Sequence, residues 1–175
     1  MNDMEIHPTA PSDLNALAQV LVDVHATDGY PVEGVGDPRS WLVLPDALGQ
    51  WTALLEGRPV GHIALLPPAP SDGAPDLLVQ RDGVSRESIA VVARLFVSPR
   101  ARGRAIGRSL LETAEDRARE SRSHLVLDVM AKDEAAINLY KSQGWSILGP
   151  IVHVHGRAQE PALALAAPPS REKHS

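Results

Sequence analysis

The sequence predicts a single mixed α/β domain. Two nearly unbroken apolar runs, "SIAVVARLFVSP" and "HLVLDVM", have the make-up of strands buried on both faces. Each is followed by a stretch with apolar residues at three- and four-residue spacing, the period of an amphipathic helix. A hairpin pattern stands before the first run, so three strands come together ahead of the central helix. That order sets the chain apart from a strictly alternating doubly wound fold.

Taken in order, Glu5–Pro8 is a short first strand. "PSDLNALAQVLVDVHA" carries Leu14, Leu17, Leu21 and Val24 on one helical face, with Ser12 or Asp13 as its cap. "TDGYPVEGVG" is a loop rich in turn residues. Asp37 ahead of Pro38 reads as a cap followed by a first-turn proline, which makes residues 38–44 a second helix. In "WTALLEGRPVGHIALL" two apolar runs flank Glu56-Gly57-Arg58-Pro59 as a hairpin. Residues 67–87, with four prolines and two glycines, are expected to be a long connection.

The buried strand Ile89–Val97, broken only by Arg94, leads to a helix with Ile106, Leu110, Ala114 and Ala118 inside and its charges in solvent. "HLVLDVM" is the next strand. "DEAAINLYKSQ" is a helix closed by Gly144. "WSILGP" and "PALALAA", joined by a turn near Gly156, are the last strands. The domain is expected over residues 1–166, with 167–175 as a frayed tail.

Composition narrows the function. The 175 residues suit one domain with a sizeable core, and 43% apolar with 22% charged content is that of a soluble protein. No apolar run reaches the roughly 20 residues of a membrane-spanning helix. "MNDMEIHPTAPSD" lacks the basic start and apolar stretch of a signal peptide, so a cytoplasmic protein is expected. With no cysteine, disulfides, thiolate metal sites and a cysteine nucleophile are excluded. A net charge of -5 and few aromatics argue against nucleic-acid binding.

Against that acidic background, "SPRARGRAIGRSLL" concentrates Arg100, Arg102, Arg104 and Arg108 around Gly103, Ala105 and Gly107. A strand, a glycine turn and a helix start make an anion site, because the first helical amides have no partner inside the helix and the dipole is positive there. The small residues let a phosphate approach the backbone. From the residues alone, a turn with a solvated basic rim stands beside this reading. A P-loop is excluded, since no Lys-Ser or Lys-Thr follows the last glycine. A dinucleotide fingerprint is excluded too, since its second and third glycines would fall at Ala105 and Arg108.

The larger pattern discriminates. "LFVSPRARGRAIGRSLL" resembles motif A of the GNAT N-acetyltransferase superfamily: an apolar strand, then Arg100, Gly103 and Ala105 at the family spacing. "DEAAINLYKSQGW" resembles the family's second motif, with Ala136, Leu139, Tyr140 and Gly144 in place. Asp133 stands where an asparagine is common, and Trp145 where a phenylalanine is usual. The resemblance is sharp from Ile89 to Trp145 and implies a GNAT fold. That fold has a mixed, mostly antiparallel sheet, splayed at the coenzyme site and flanked by about four helices.

It also implies acetyl transfer from acetyl-coenzyme A to an amine, by direct attack in a ternary complex. Gly103, Arg104, Ala105, Ile106, Gly107 and Arg108 would cradle the pyrophosphate, and backbone groups of Leu95, Phe96 and Val97 would pair with the pantetheine arm. Arg102, Arg104 and Arg108 would add side-chain charge, and Asn138 would face the coenzyme. A main-chain amide near Phe96 or Val97 would stabilise the oxyanion. Tyr140 matches the family tyrosine that protonates the leaving thiolate.

Asp128, inside a buried strand, matches the offset of a glutamate base in some members, one methylene shorter, and would act directly or through water. An outward-facing or arginine-paired Asp128 stands beside that reading. His62 and Glu87 are weaker base candidates. His153 and His155 have metal spacing, but no third ligand accompanies them and no metal is expected. Tyr30, Glu33 and Trp41 are candidates for the acceptor site, with Asp28 and Asp37 as attractors of a cation. Solvated loop residues, with Asp37 a helix cap, are the competing reading. The acceptor is open between small-molecule and peptide amines, and a homodimer stays open. A non-catalytic acyl-coenzyme A-binding module of the same fold is the alternative function.

Overall fold

A computed structural model describes residues 3–31, 34, 36–155 and 157–169, the side chain of His155 apart. Strands β1 (Met4–Pro8), β2 (Gly49–Leu55), β3 (Arg58–Leu66), β4 (Ile89–Val97), β5 (His124–Met130), β6 (Ser146–His155) and β7 (Ala158–Ala166) form one sheet in the order β1-β2-β3-β4-β5-β7-β6. β1–β2, β2–β3, β5–β7 and β6–β7 pair antiparallel, and β4–β5 pair parallel. The helices are α1 (Leu14–Asp28), α2 (Pro38–Trp41), α3 (Gly73–Asp82), α4 (Ile106–Glu120) and α5 (Glu134–Ser142). The mixed, mostly antiparallel sheet is as expected. Among the described residues no helix is long and apolar enough to cross a membrane.

The chain divides into two compact units, residues 1–66 with 92–114 and residues 67–91 with 115–175. The first holds β1, β2 and β3, turned by Glu56 (φ 51°) and Gly57 (φ 77°) between β2 and β3. Its core is Leu17, Leu21 and Val24 of α1 with Leu42 and Phe96. The second packs Ala74 and Leu78 of α3 against Val91, Val126, Ala164 and Ala166 on one sheet face.

Several expectations are corrected. The connection over residues 67–87 contains the ten-residue helix α3, which brings the α-helices among the described residues to five where about four were expected. Pro75 lies in its first turn, where a backbone N–H has no intrahelical partner and none is missed. α2 ends at Trp41 rather than at residue 44. Asp13 stands at the N-cap position of α1, after a 3-10 turn over Pro11–Asp13, but its side chain makes no capping bond to that helix. Its carboxylate turns back to accept from Ala10 N–H at 2.8 Å and from His7 Nε2 at 2.9 Å. β6 continues past Pro150 to His155. Gly144 (φ 88°) follows the last turn of α5, its N–H bonding Lys141 O at 3.0 Å.

Candidate active site

In the first unit, β4 runs on to the arginine-glycine turn. The parallel register with β5 runs from Ile89↔His124 to Val91↔Val126, whereas β4 itself continues to Val97. Arg94 has a left-handed backbone (φ 57°), which kinks the strand one residue before Leu95. Phe96 is buried, and Leu95 and Val97 are half-buried. Buried Ser98 ends the strand: its N–H bonds Val60 O at 2.7 Å, and its Oγ accepts from Arg100 N–H at 3.3 Å.

The turn that follows is built for close approach. Gly103 (φ 81°) and Ala105 (φ 59°) are both left-handed, and the space where a Gly103 side chain would stand is open to 4 Å. α4 starts at Ile106, whose side chain is buried, so that residue offers its backbone alone. Gly107, at the second helical position, is half-buried. The N–H groups of this first turn have no intrahelical acceptors and carry the positive helix end, as an anionic phosphate requires. Arg102, Arg104 and Arg108 are all exposed, and Arg102 forms an ion pair with Asp28 at the end of α1.

Beside the β4 kink lies a row of rings. Tyr30 meets Trp41 edge-on at 6.0 Å, Trp41 meets Phe96 at 6.2 Å, and Phe96 stacks on His62 at 5.4 Å. The Arg94 guanidinium lies 4.0 Å over the Trp41 ring, a cation–π contact. Tyr30 and Trp41 are thus brought together as the sequence grouped them; Glu33 lies outside the described residues. Asp37 caps α2, accepting from Ser40 N–H at 3.1 Å and Ser40 Oγ at 2.7 Å. His62 is wholly buried, where no amine could reach it as a base. Burial above all, partly offset by its bond to Arg94 O and helped by the Arg94 charge, lowers its pKa to about 4.

In the second unit, Tyr140 projects from α5 and is 8% exposed, its ring 5.9 Å from that of Trp145. Burial first, then the negative charges of Asp133 and Asp128, push its phenol well above the ordinary value and keep it protonated. Asp133 caps α5, accepting from Ala136 N–H at 3.3 Å, which accounts for a carboxylate where the family motif has asparagine. Asn138 is exposed on the same helix, and Glu87 is exposed in the 3-10 turn before β4.

Asp128 points outward from β5, and its Oδ2 accepts from His153 Nδ1 at 3.3 Å. The two strands are separated by β7, where Asp128 faces Ala164 and His153 faces Glu160, with the small Ala162 between them on that face. Asp128 and His153 line a surface hollow of about 210 Å³ with Asp72, Gly73, Val91 and Ile151. The sequence marked His153 for metal spacing rather than as the partner of Asp128. His155's side chain lies outside the described residues, and among those described no group of three metal-ligating side chains is found.

This chain matches the family model described as the acetyltransferase (GNAT) family over residues 16–145. It is 47% identical over 60 residues to an IAA acetyltransferase of Azospirillum brasilense; that stretch is 34% of this chain and 39% of the relative. The match therefore spans about two fifths of that curated relative's length. The fold is similar to that of a ribosomal-protein-alanine N-acetyltransferase from Brucella melitensis, with a TM-score of 0.72, 24% identity, and coverage of 93% of this chain and 98% of that one. It is likewise similar to Arabidopsis thaliana NAA60 in complex with acetyl-CoA, with a TM-score of 0.70, 18% identity, and coverage of 93% and 98%.

Proposed function

The chain belongs to the GNAT acetyltransferase family, and from that premise we propose that it transfers an acetyl group from acetyl-coenzyme A to a primary amine. The observation that carries this reading is the turn between β4 and α4. Two left-handed small residues stand ahead of a helix start, in the motif whose family partner is the coenzyme pyrophosphate. Amides of residues 103–108 hold the phosphates, with Arg104 and Arg108 as side-chain partners. Arg102 serves the turn through Asp28.

The thioester supplies an activated acetyl group. Backbone groups of Leu95–Val97 bind the arm that carries it, and a main-chain amide near Phe96 or Val97 meets the oxyanion. A new C–N bond forms as the C–S bond breaks, the amine losing one proton and the thiolate gaining one. Tyr140, protonated throughout the working range, gives the proton to the leaving sulfur. Asp128, held by His153, takes the amine proton directly or through water. The catalytic domain extends over residues 1–166 and works in the cytoplasm, on a small-molecule or peptide amine that Tyr30 and Trp41 help to shape.

Titration calorimetry with acetyl-coenzyme A and a thiol-release screen against an amine library test the reading. Binding with turnover supports it. Binding without turnover on any amine favours the non-catalytic acyl-coenzyme A module. No binding at millimolar coenzyme overturns both.

A further inference from the structure

The wholly buried imidazole of His62 has a defined tautomer, and its proton is spent on the backbone of the strand that precedes the arginine-glycine turn. Gln50 Nε2 lies 2.8 Å from Leu42 O and 2.8 Å from His62 Nε2. A carbonyl oxygen can only accept, so that Gln50 atom is the amide nitrogen, and an amide nitrogen can only donate. His62 Nε2 must therefore accept, which leaves the ring proton on Nδ1. From there it is donated to Arg94 O at 2.7 Å. Both ring nitrogens are satisfied only in the neutral form, in agreement with the lowered pKa.

The acceptor of that bond is the kinked residue itself. Arg94, the one left-handed residue among those described in β4, is β-strand on either side. A non-glycine residue keeps such a backbone only where its surroundings over-determine it. His62 bonds its carbonyl, stacks on Phe96 at 5.4 Å, and adds its neighbour Gly61, which admits the Phe96 carbonyl closely. The Arg94 guanidinium is anchored separately over Trp41. Charged groups acting on His62 are Arg94 alone among those that shift it.

We propose that His62 is a positioning residue for acyl-coenzyme A: its Nδ1–H holds the kink at Arg94 and its ring holds Phe96, which together aim the backbone groups of Leu95–Val97. This rests on the reading that those groups receive the coenzyme arm. The chain Leu42–Gln50–His62–Arg94 makes the binding strand's direction depend on a tautomer set two strands away.

Calorimetry of the full chain with acetyl-coenzyme A tests it, using His62→Asn, whose side-chain amide offers a donor where Nδ1 stood, and His62→Leu, which has none. Melting curves select an assay temperature at which each variant is folded. His62→Leu is expected to bind about tenfold or more weakly and His62→Asn to stay within about threefold of the parent. A folded His62→Leu that binds like the parent overturns the proposal while leaving the coenzyme reading intact. A parent that does not bind overturns the coenzyme reading first. Imidazole nitrogen NMR of the unmodified protein gives a second decision that needs no variant. A proton on Nδ1 from about pH 8 to about pH 5 supports the proposal, and a proton on Nε2 or protonation of the ring in that range overturns it.

Discussion

Asp128 and His153 meet at 3.3 Å across an intervening strand, in a hollow open to solvent. The carboxylate is acceptor-only when ionised, so His153 presents Nδ1–H to it. Asp128→Asn preserves shape while removing the base. It is expected to lower kcat/KM by about a hundredfold with acetyl-coenzyme A affinity unchanged. His153→Gln, which leaves the carboxylate, is expected to cost about tenfold or less. Steady-state kinetics on the first confirmed amine decide it, and an unaffected Asp128→Asn removes that residue from the mechanism.

Tyr140 carries a phenol that burial and two neighbouring acids keep protonated. Its buried ring lies against that of Trp145, a contact that phenylalanine retains. Tyr140→Phe is therefore expected to fold and to bind coenzyme normally, but to lose about a hundredfold in kcat. The thiol-release assay reads this directly. An unchanged kcat would make Tyr140 a packing residue.

What the sequence disclosed follows from how local each signal is. The β4 strand, the turn and α4 are contiguous, so a nine-residue apolar run and a glycine spacing were enough to find them. The period of α3 is masked by Pro75 within it and three prolines just before it, although Ala74 and Leu78 face the core as any amphipathic helix would. The bond from His62 to Arg94 O joins residues 32 apart, and that from Asp128 to His153 joins residues 25 apart. No spacing rule connects such pairs; strand order does. The kink at Arg94 was equally hidden, since an arginine carries no preference for a left-handed backbone.

Gly61 tests the packing around the kinked strand. A Cβ there would stand 3.1 Å from the Phe96 carbonyl oxygen and 3.1 Å from Leu110 Cδ1. The leucine can rotate, but the carbonyl is backbone. Gly61→Ala is expected to destabilise the fold by about 1–3 kcal/mol, measured by chemical denaturation. A neutral result would mean that β4 yields freely.

Trp145, 3% exposed, donates its indole N–H to Glu115 Oε1 at 2.7 Å. Trp145→Phe restores the aromatic that the family motif commonly has but leaves Glu115 without this donor. The expected loss is about 2 kcal/mol, since bonds to charged acceptors are worth about 1.5–3 kcal/mol. In Glu115→Gln, where the donor is kept and the charge removed, the loss is expected to be smaller. Equal stability of Trp145→Phe and the parent would count against the bond.

His62 also fixes a pH dependence whose direction can be stated. In the unfolded chain its imidazole titrates near the ordinary value of about 6.5, whereas in the folded chain it takes a proton only near pH 4. Between those values the unfolded state binds more protons, so acid pulls the equilibrium towards unfolding. The stability this group supports is fully present above about pH 6.5 and is lost as pH falls towards about 4, at a slope of up to about 1.4 kcal/mol per pH unit. Carboxylates titrate in the lower part of the same range, so the quantity to measure is the difference between the parent and His62→Asn, which lacks the imidazole but keeps the donor. Unfolding free energies of the two, taken from about pH 7.5 to about pH 4.5, are expected to converge as pH falls, the parent losing stability faster. Parallel curves would mean that His62 titrates in the folded protein as it does in the open chain, contrary to its burial.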